Sequence, residues 1–297
     1  MNKHAYLIMA HRNWDQLKIL LTLLDDSRND IFLHIDKKNY PPQNIIEDFA
    51  GVLQHTTVYF VDSINVSWGG YSVVAAEIIL LKAAIKMYHY DYYHLLSGQD
   101  LPLKTQNEIH SFFDQHHGEE FIDFADKSWM DRNIDRYRYY WIFQEYMGRE
   151  NHRVFQKLER KGNRIQRALH IDRVRGHVYC GGSNWFSITD EFARLLCANS
   201  RRIRKRFRFT LCSDECFLQM LSLENGYEQK TYQVIHKKKS GNMRFLDWDR
   251  GSPYIFRTED FEDLIRSEKL FARKFDITVD AEIIEKIFAH LYSERSR

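Results

Sequence analysis

The stretch that decides the fold is Ala5-Tyr6-Leu7-Ile8-Met9-Ala10, a continuous apolar run close to the start of the sequence. A second such run, Ile31-Phe32-Leu33-His34-Ile35, follows after residues 13–24, whose apolar positions recur at helical spacing. Runs that are apolar on both faces are typical of buried parallel strands. Strand, helix and strand in this order predict a βαβ unit and therefore an α/β fold, with ligands at the carboxyl ends of the strands.

The rest of the chain continues the alternation of strands and helices, and no internal repeat or linker interrupts it. The patterns predict further strands at residues 57–61, 93–96, 120–123, 178–188 and 231–236. They predict helices at residues 72–88, 106–116, 154–170, 189–197, 258–266 and 281–292. Residues 131–176 differ from their surroundings in being rich in Arg, Tyr and Lys, which indicates an insertion or a segment that faces an acceptor.

Composition limits the classes of function. The 297 residues carry a formal net charge of only +2, so no strong overall field favours nucleic acid. The four cysteines, Cys180, Cys197, Cys212 and Cys216, have neither the spacing of a metal site nor the density of a disulfide framework. The apolar run at the N-terminus is short for a signal peptide, and no run of about 18 apolar residues occurs. We expect a reduced, cytoplasmic protein.

Polar residues follow several predicted strands, where a parallel sheet binds its ligands. His11 follows the first strand, Asp36 the second, and Asp100 lies beyond the strand at 93–96 in Ser97-Gly98-Gln99-Asp100-Leu101-Pro102. An acidic residue after the second strand is a common partner for a nucleoside. Asp36 could equally cap the next turn, and the sequence leaves both interpretations open.

Another candidate is Glu215, in Thr210-Leu211-Cys212-Ser213-Asp214-Glu215-Cys216-Phe217. Ser213 is placed to cap a helix, with Asp214 and Glu215 in the first turn beside the positive end of the helix dipole. That structural role explains most Ser-Asp-Glu triplets. The functional interpretation is that Glu215 projects into a cleft as a general base.

Five motifs in order carry a family resemblance. They are His34-Ile35-Asp36-Lys37-Lys38, Ser97-Gly98-Gln99-Asp100-Leu101-Pro102-Leu103-Lys104-Thr105, Gly181-Gly182-Ser183-Asn184-Trp185-Phe186, Ser213-Asp214-Glu215 and Leu270-Phe271-Ala272-Arg273-Lys274-Phe275-Asp276. Together they resemble glycosyltransferase family 14, which contains the core-2/I-branching β-1,6-N-acetylglucosaminyltransferases, the peptide O-xylosyltransferases and bacterial relatives. The resemblance extends from Ala5 to about residue 280.

The resemblance implies a GT-A-type fold: a Rossmann-like nucleotide-binding half and a mixed central sheet with helices on both faces. It implies one catalytic domain, residues 1–297, with a nucleotide-sugar half (1–125) and an acceptor-binding and catalytic half (126–297). The implied reaction inverts the anomeric carbon and moves a sugar, N-acetylglucosamine first, from a UDP-sugar to a glycan hydroxyl. A UDP-xylose enzyme of the same fold is the alternative.

The resemblance also implies roles for individual residues. Glu215 matches the catalytic base, and Lys274 matches a lysine that neutralises the UDP leaving group together with an arginine. Arg250 is the first choice for that arginine and Arg257 the second, while Arg273 is expected to be a surface neighbour of Lys274. The implied uridine contacts are Ala10, His11 and Asp36, and Asp100 is placed near the ribose or donor sugar.

The implied acceptor contacts are Asp123, Arg132, Trp185 and Trp248. Asp247-Trp248-Asp249 has the form of the Asp-x-Asp metal motif, but it follows the Glu215 segment, whereas that motif ends a strand of the nucleotide half. We therefore expect no metal ligand and no cofactor besides the donor. The disulfides and membrane anchor of the animal enzymes have no counterpart here, which suggests a bacterial member.

The most basic run is Arg201-Arg202-Ile203-Arg204-Lys205-Arg206-Phe207-Arg208. A solvated helix face is the simplest interpretation. The run could also hold the enzyme at the inner face of a membrane, near a lipid-linked sugar acceptor. A non-catalytic protein that grips nucleic acid or anionic lipid is a separate hypothesis, which the near-neutral charge disfavours.

Overall fold

The protein is built on a five-stranded sheet. In the computed structural model, which describes residues 2–149 and 152–295, the strand order is β3-β2-β1-β4-β6. The first four strands are parallel and β6 runs antiparallel beside β4. The strands are β1 (His4–Ala10), β2 (Asn29–Ile35), β3 (Thr57–Phe60), β4 (Tyr92–Ser97) and β6 (Ser187–Thr189).

Helices cover both faces of this sheet. They are α1 (Trp14–Leu23), α2 (Gln43–Gly51), α3 (Ser72–Met87), α4 (Gln106–Gln115), α5 (Lys127–Asn133), α6 (Asp135–Arg138), α7 (Gln144–Met147), α8 (Arg153–Ala168), α9 (Asp190–Ala198), α10 (Ser200–Phe207), α11 (Phe217–Glu224), α12 (Tyr232–Ile235), α13 (Phe261–Arg266) and α14 (Ala281–Arg295). The expected mixed α/β architecture is confirmed.

The alternation of side chains along β1 explains why its whole run is apolar. Tyr6 and Ile8 belong to one buried cluster, which also contains residues of α1 and α14. Ala5 and Leu7 belong to a second cluster, with residues of α3 and α9. Each face of the strand therefore packs against a helical layer, as the unbroken apolar run predicts.

A second sheet joins the two halves of the chain. It has the order β5-β8-β7, with β5 (Asp100–Pro102), β7 (Arg244–Leu246) and β8 (Phe271–Arg273). Asp100 lies opposite Arg273 in this sheet. The motif after β4 and the motif near the C-terminus, about 170 residues apart in the sequence, are thus neighbours in space.

Three predicted strands differ from the structure. Residues 120–123 form only isolated bridges, from Glu120 to Thr231 and from Phe121 to Ser187, and residues 178–186 have no strand. Residues 231–236 contain the helix α12 instead of a strand. The alternation there is misleading because Tyr232, the first residue of α12, is fixed by stacking on Phe121, with ring centroids 5.2 Å apart.

Candidate functional site

The carboxyl ends of β1 and β2 meet at one edge of the sheet, as expected. The amide of Asp36 donates to the carbonyl of Ala10 at 2.9 Å. The Asp36 carboxylate accepts from the amides of Lys38 (3.1 Å) and Val66 (3.3 Å), so it caps the short 3-10 turn Lys37–Asn39. His11 is exposed beside this edge, and its pKa is lowered by partial desolvation and by the charge of Arg12. The capping interpretation of Asp36 is realised, and its second carboxylate oxygen faces Lys38 at 3.6 Å.

Asp100 is held in the interior and is not a freely exposed carboxylate. It is 1% exposed and accepts from the amide of Ser97 at 2.8 Å and from Arg273 at 2.7 Å. Arg273 also lies over the ring of Trp185, with 4.4 Å to the ring centroid. The expectation that Arg273 is a surface neighbour of Lys274 is therefore wrong, because this side chain links the two halves. Trp185 is 8% exposed, and Arg273 covers one of its faces.

Arg273 belongs to a group of four cations, which we call the basic cluster. The other three are Arg12, Arg149 and Lys274. The pKa of Lys274 is lowered by burial and by the positive charges of Arg273, Arg12 and Arg149. Burial, Arg273 and Arg12 likewise lower the pKa of Arg149. The positive charges of Arg12 and Arg273 thus act on both Lys274 and Arg149 and disfavour their charged forms.

Among the residues that the structure describes, two members of the basic cluster have an acidic partner. Arg12 pairs with Asp276 at 2.9 Å, and Arg273 pairs with Asp100. Within residues 2–149 and 152–295, neither Lys274 nor Arg149 has a carboxylate within ion-pair distance. Arg149 instead lies over Trp68, 5.0 Å from the ring centroid, and both line a cleft of about 620 Å³. Two unneutralised cations held together are suited to bind a diphosphate.

The two arginines proposed as partners of Lys274 have other surroundings. Arg250 forms ion pairs with Asp247 at 2.5 Å and with Asp260 at 2.7 Å, and these carboxylates raise its pKa. Its guanidinium also lies 4.0 Å from the centroid of the Tyr254 ring. Arg257 is exposed, and its backbone amide donates to Asp260. The guanidinium of Arg250 is thus already satisfied by protein groups.

The Asp-x-Asp triplet lines a second cleft, also of about 620 Å³. Asp247 is occupied by Arg250 and by the amide of Asp249. Trp248 is 62% exposed at this cleft. The arrangement offers one large open aromatic face, which is suited to stack on a sugar ring.

Glu215 lies in a 3-10 turn, Ser213–Glu215, and not in the first turn of a regular helix. The helix α11 begins after it, at Phe217, and Ser213 makes no side-chain cap; the capping prediction is therefore wrong. The reason is that Cys212 has a left-handed backbone, with φ of 51°, which turns the chain before the helix starts. Glu215 consequently projects beside the helix end and not along it.

The carboxylate of Glu215 forms an ion pair with Arg136, in which Oε2 accepts from Nη1 at 2.6 Å. Burial raises the pKa of Glu215, and the Arg136 charge acts in the opposite direction. Its side chain remains 31% exposed, and no protein donor in the described residues bonds to Oε1. One carboxylate oxygen is therefore oriented by the protein while the other is available to a ligand.

The Gly181-Gly182 pair places Glu215 against the loop that carries Asp123. The amide of Gly182 donates to the carbonyl of Glu215 at 2.9 Å. A Cβ on Gly182 would lie 1.9 Å from the carbonyl oxygen of Asp123, and one on Gly181 would lie 2.8 Å from that of Glu215. Only glycine permits these backbones to approach so closely.

The two predicted acceptor residues of this region have different environments. The Asp123 carboxylate accepts from the amides of Gly241 (2.5 Å) and Asn242 (2.9 Å), which fixes a loop, and burial raises its pKa. Arg132 is exposed at the end of α5 and donates to Ser128 at 3.1 Å. The Asp123 carboxylate thus bonds to backbone amides, whereas the exposed guanidinium of Arg132 can contact a ligand.

Arg136 and Arg149 are the residues that sequence reasoning missed. Both belong to the Arg-rich segment at 131–176, which adds helices and, in its described residues, no strand to either sheet. The composition of the segment was the only signal. No spacing singles out two arginines among so many basic residues.

Comparisons with known proteins assign the chain to a family. A family model described as Core-2/I-Branching enzyme matches residues 4–265, and the chain belongs to this family. Xylosyltransferase 2 of Pan troglodytes is 26% identical over 315 residues, which cover 97% of this chain and 33% of that protein. Xylosyltransferase 1 of Rattus norvegicus is 23% identical over 321 residues, covering 97% and 35%. The chain spans about a third of the length of these relatives.

A solved structure, the apo-form glycosyltransferase GlyE of Streptococcus pneumoniae TIGR4, aligns with 99% of this chain and 64% of its own. The TM-score is 0.46 and the sequence identity 9%.

Among the described residues, none of the helices combines the length and the apolar character needed to cross a membrane. All four cysteines are free thiols.

Proposed function

We propose that this chain is an inverting glycosyltransferase that moves a sugar from a UDP-sugar to a hydroxyl of a glycan or of a lipid-linked sugar. The observation that carries the proposal is Glu215, whose Oε2 is held by Arg136 while Oε1 accepts no bond from the described part of the protein. The basic cluster, in which Lys274 and Arg149 have no carboxylate partner among the described residues, supports the UDP part of the proposal. Membership of the Core-2/I-Branching enzyme family supports the reaction class.

The proposed reaction is a single displacement. The acceptor oxygen attacks the anomeric carbon, the bond from that carbon to the diphosphate oxygen breaks, and Glu215 takes the proton of the acceptor hydroxyl. Lys274 and Arg149 neutralise the charge that develops on the leaving UDP. Because fixed cations perform this electrostatic task, the proposal requires no divalent metal.

The sharpest test is Glu215→Gln, which keeps the shape of the side chain and removes the base. Transfer should fall by about 10²- to 10⁴-fold. The affinity for UDP should stay at its wild-type value, because Glu215 is assigned to the acceptor and not to the donor. A matched control is Glu262→Gln, which changes an exposed glutamate that pairs with Arg266 on the surface of α13. Full turnover in Glu215→Gln would exclude Glu215 as the base.

The donor sugar has two candidates. N-acetylglucosamine is the first, because the motifs resemble those of the branching N-acetylglucosaminyltransferases. Xylose is the second, and it is favoured by the names of the relatives that align with 97% of the chain. Rates of hydrolysis of UDP-N-acetylglucosamine, UDP-xylose and UDP-glucose, measured without acceptor, separate these candidates.

We also propose that the basic run at residues 201–208 holds the enzyme at the inner face of a membrane. In α10, Ile203 and Phe207 are buried, and Arg202 and Arg206 pair with Glu224. The remaining exposed cations are Arg201, Arg204, Lys205 and Arg208. Charge reversal of Arg201, Arg204 and Lys205 should abolish sedimentation with anionic vesicles, and unchanged sedimentation would remove this contact from the proposal.

A further inference from the structure

Away from the basic cluster and Glu215, two histidines and a glutamate meet between α4 and α12. His116 follows the last residue of α4, and His236 follows the last residue of α12. Glu119 reaches both: its carboxylate lies 3.3 Å from Nδ1 of His116 and 3.0 Å from Nε2 of His236. The potential ligand atoms of the three side chains all lie within 4.8 Å of one another.

We propose that His116, Glu119 and His236 form a binding site for a divalent transition metal of the zinc class. Two imidazoles with one carboxylate are a donor set that such ions prefer, and three protein ligands leave a fourth position for water. Tetrahedral zinc with bonds of about 2.0 Å separates its ligand atoms by roughly 3.3 Å. Oε1 of Glu119 lies 3.3 Å from Nδ1 of His116 and 3.1 Å from Nε2 of His236, and both separations are close to that value.

The framework around the three ligands is rigid. The phenol of Tyr92 donates to the carbonyl oxygens of His116 (2.7 Å) and Glu119 (3.2 Å), which fixes the turn between them. The rings of His116 and His236 stand perpendicular, with centroids 5.0 Å apart, and both pack against Tyr232. Side chains held this close together need little reorganisation to share one ion.

The site is also reachable and electrostatically suited to a cation. The side chains of His116, Glu119 and His236 are 21%, 17% and 32% exposed. His116 stands at the C-terminal end of α4, where unpaired carbonyls favour positive charge. Metal binding requires that each imidazole present a lone pair to the ion, so the ring proton takes the other nitrogen or leaves to solvent.

An ion bound here would connect the two halves of the chain. His116 and Glu119 belong to residues 1–125, whereas His236 lies beyond α12, and the two segments already meet where Glu120 bridges Thr231. The ion would therefore stabilise the contact between the halves without touching the substrates. This role is structural and does not depend on the proposed transfer reaction.

The test is a calorimetric titration of zinc chloride into chelator-treated full-length protein, with magnesium chloride in parallel. Zinc should bind at one site, and magnesium should not, because it prefers six oxygen ligands. His236→Ala and Glu119→Gln should each weaken zinc binding by about tenfold or more. Zinc should raise the melting temperature of the wild type and not that of these variants.

The matched control is His117→Ala, which removes an exposed imidazole from the same turn and should leave zinc affinity unchanged. Glu119→Gln keeps the side-chain shape, so the test survives if a histidine variant fails to fold. Saturable binding that these ligand variants lose and His117→Ala retains supports the site. Absence of saturable binding, or equal binding in His236→Ala, overturns it.

Discussion

The role given to Lys274 leads to a prediction with two readouts. Lys274→Met keeps the aliphatic stem and removes the charge. A hydrogen bond to a charged group contributes about 1.5–3 kcal/mol, and each 1.4 kcal/mol changes an affinity tenfold. Lys274 is partly buried, so solvent screens this contact less than it would at the open surface. We therefore expect UDP to bind roughly 10- to 100-fold more weakly to Lys274→Met.

The second readout is thermal stability. Removing an ordinary buried contact lowers the melting temperature, whereas removing the charge of Lys274 should not. The folded chain lowers the pKa of Lys274, so its positive charge is less favourable in the folded state than in the unfolded one. That penalty is present at pH values below the folded-state pKa and disappears as the pH rises through it. Removing the charge should consequently leave the melting temperature of the free protein unchanged or slightly raised.

The assay is calorimetric titration of UDP and of uridine in the presence of EDTA. Uridine lacks the diphosphate, so Lys274→Met should bind it as the wild type does. Lys286→Met removes a surface lysine that pairs with Glu282 and serves as the control. Arg149→Met and Arg250→Met identify the partner arginine, and we expect the larger loss for Arg149, whose guanidinium has no acidic partner in the described residues.

Unchanged affinity of Lys274→Met for UDP would refute the assignment of the diphosphate to the basic cluster. An equal loss for uridine and UDP would show instead that the substitution disturbs the nucleotide half as a whole. If UDP bound only when manganese replaced EDTA, a metal ion and not the basic cluster would neutralise the diphosphate.

Two further substitutions test the surroundings of Glu215. Arg136→Met should raise the pKa of Glu215, because the guanidinium of Arg136 lowers it. The acid limb of the pH profile of kcat/KM should therefore move to higher pH. An acid limb at the wild-type pH would contradict the pairing. Gly182→Ala should destabilise the fold by about 1–3 kcal/mol or more, since its Cβ would meet the Asp123 carbonyl oxygen. Gly162→Ala, in α8 with open space around it, should instead raise the melting temperature slightly, and thermal unfolding measures both.

Local patterns sufficed for the parts of the fold that are built from unbroken apolar runs. β1, β2 and β4 lie where the sequence predicts them, because their burial on both faces leaves a signal in every residue. Residues 231–236 were predicted wrongly because alternation over six residues does not distinguish a short strand from a turn of helix when one aromatic ring dominates the packing. Tertiary contact decided that segment.

The site was accessible to sequence reasoning only where a motif marks it. Glu215 and Lys274 lie in motifs, so both could be proposed from the sequence. Arg136 contacts Glu215 across 79 positions, and the pairing of Arg273 with Asp100 spans 173 positions. Such contacts are created by the path of the whole chain and leave no local periodicity, which is why the role of Arg273 was misjudged and Arg149 was missed.

One stretch of chain, residues 131–176, supplies both Arg136 and Arg149. The first arginine orients the proposed base, and the second faces the proposed leaving group, yet neither is part of the sheets that hold the molecule together. The segment at 131–176 is also anchored in the fold, because Tyr137 is buried in the cluster of Ala5 and Leu7 and Glu145 accepts from the amide of Ser72, so a graft between relatives must keep these contacts. Exchanging it would replace both charges at once while the strands and their register stay as they are, so chimeras can vary the chemistry and keep the scaffold.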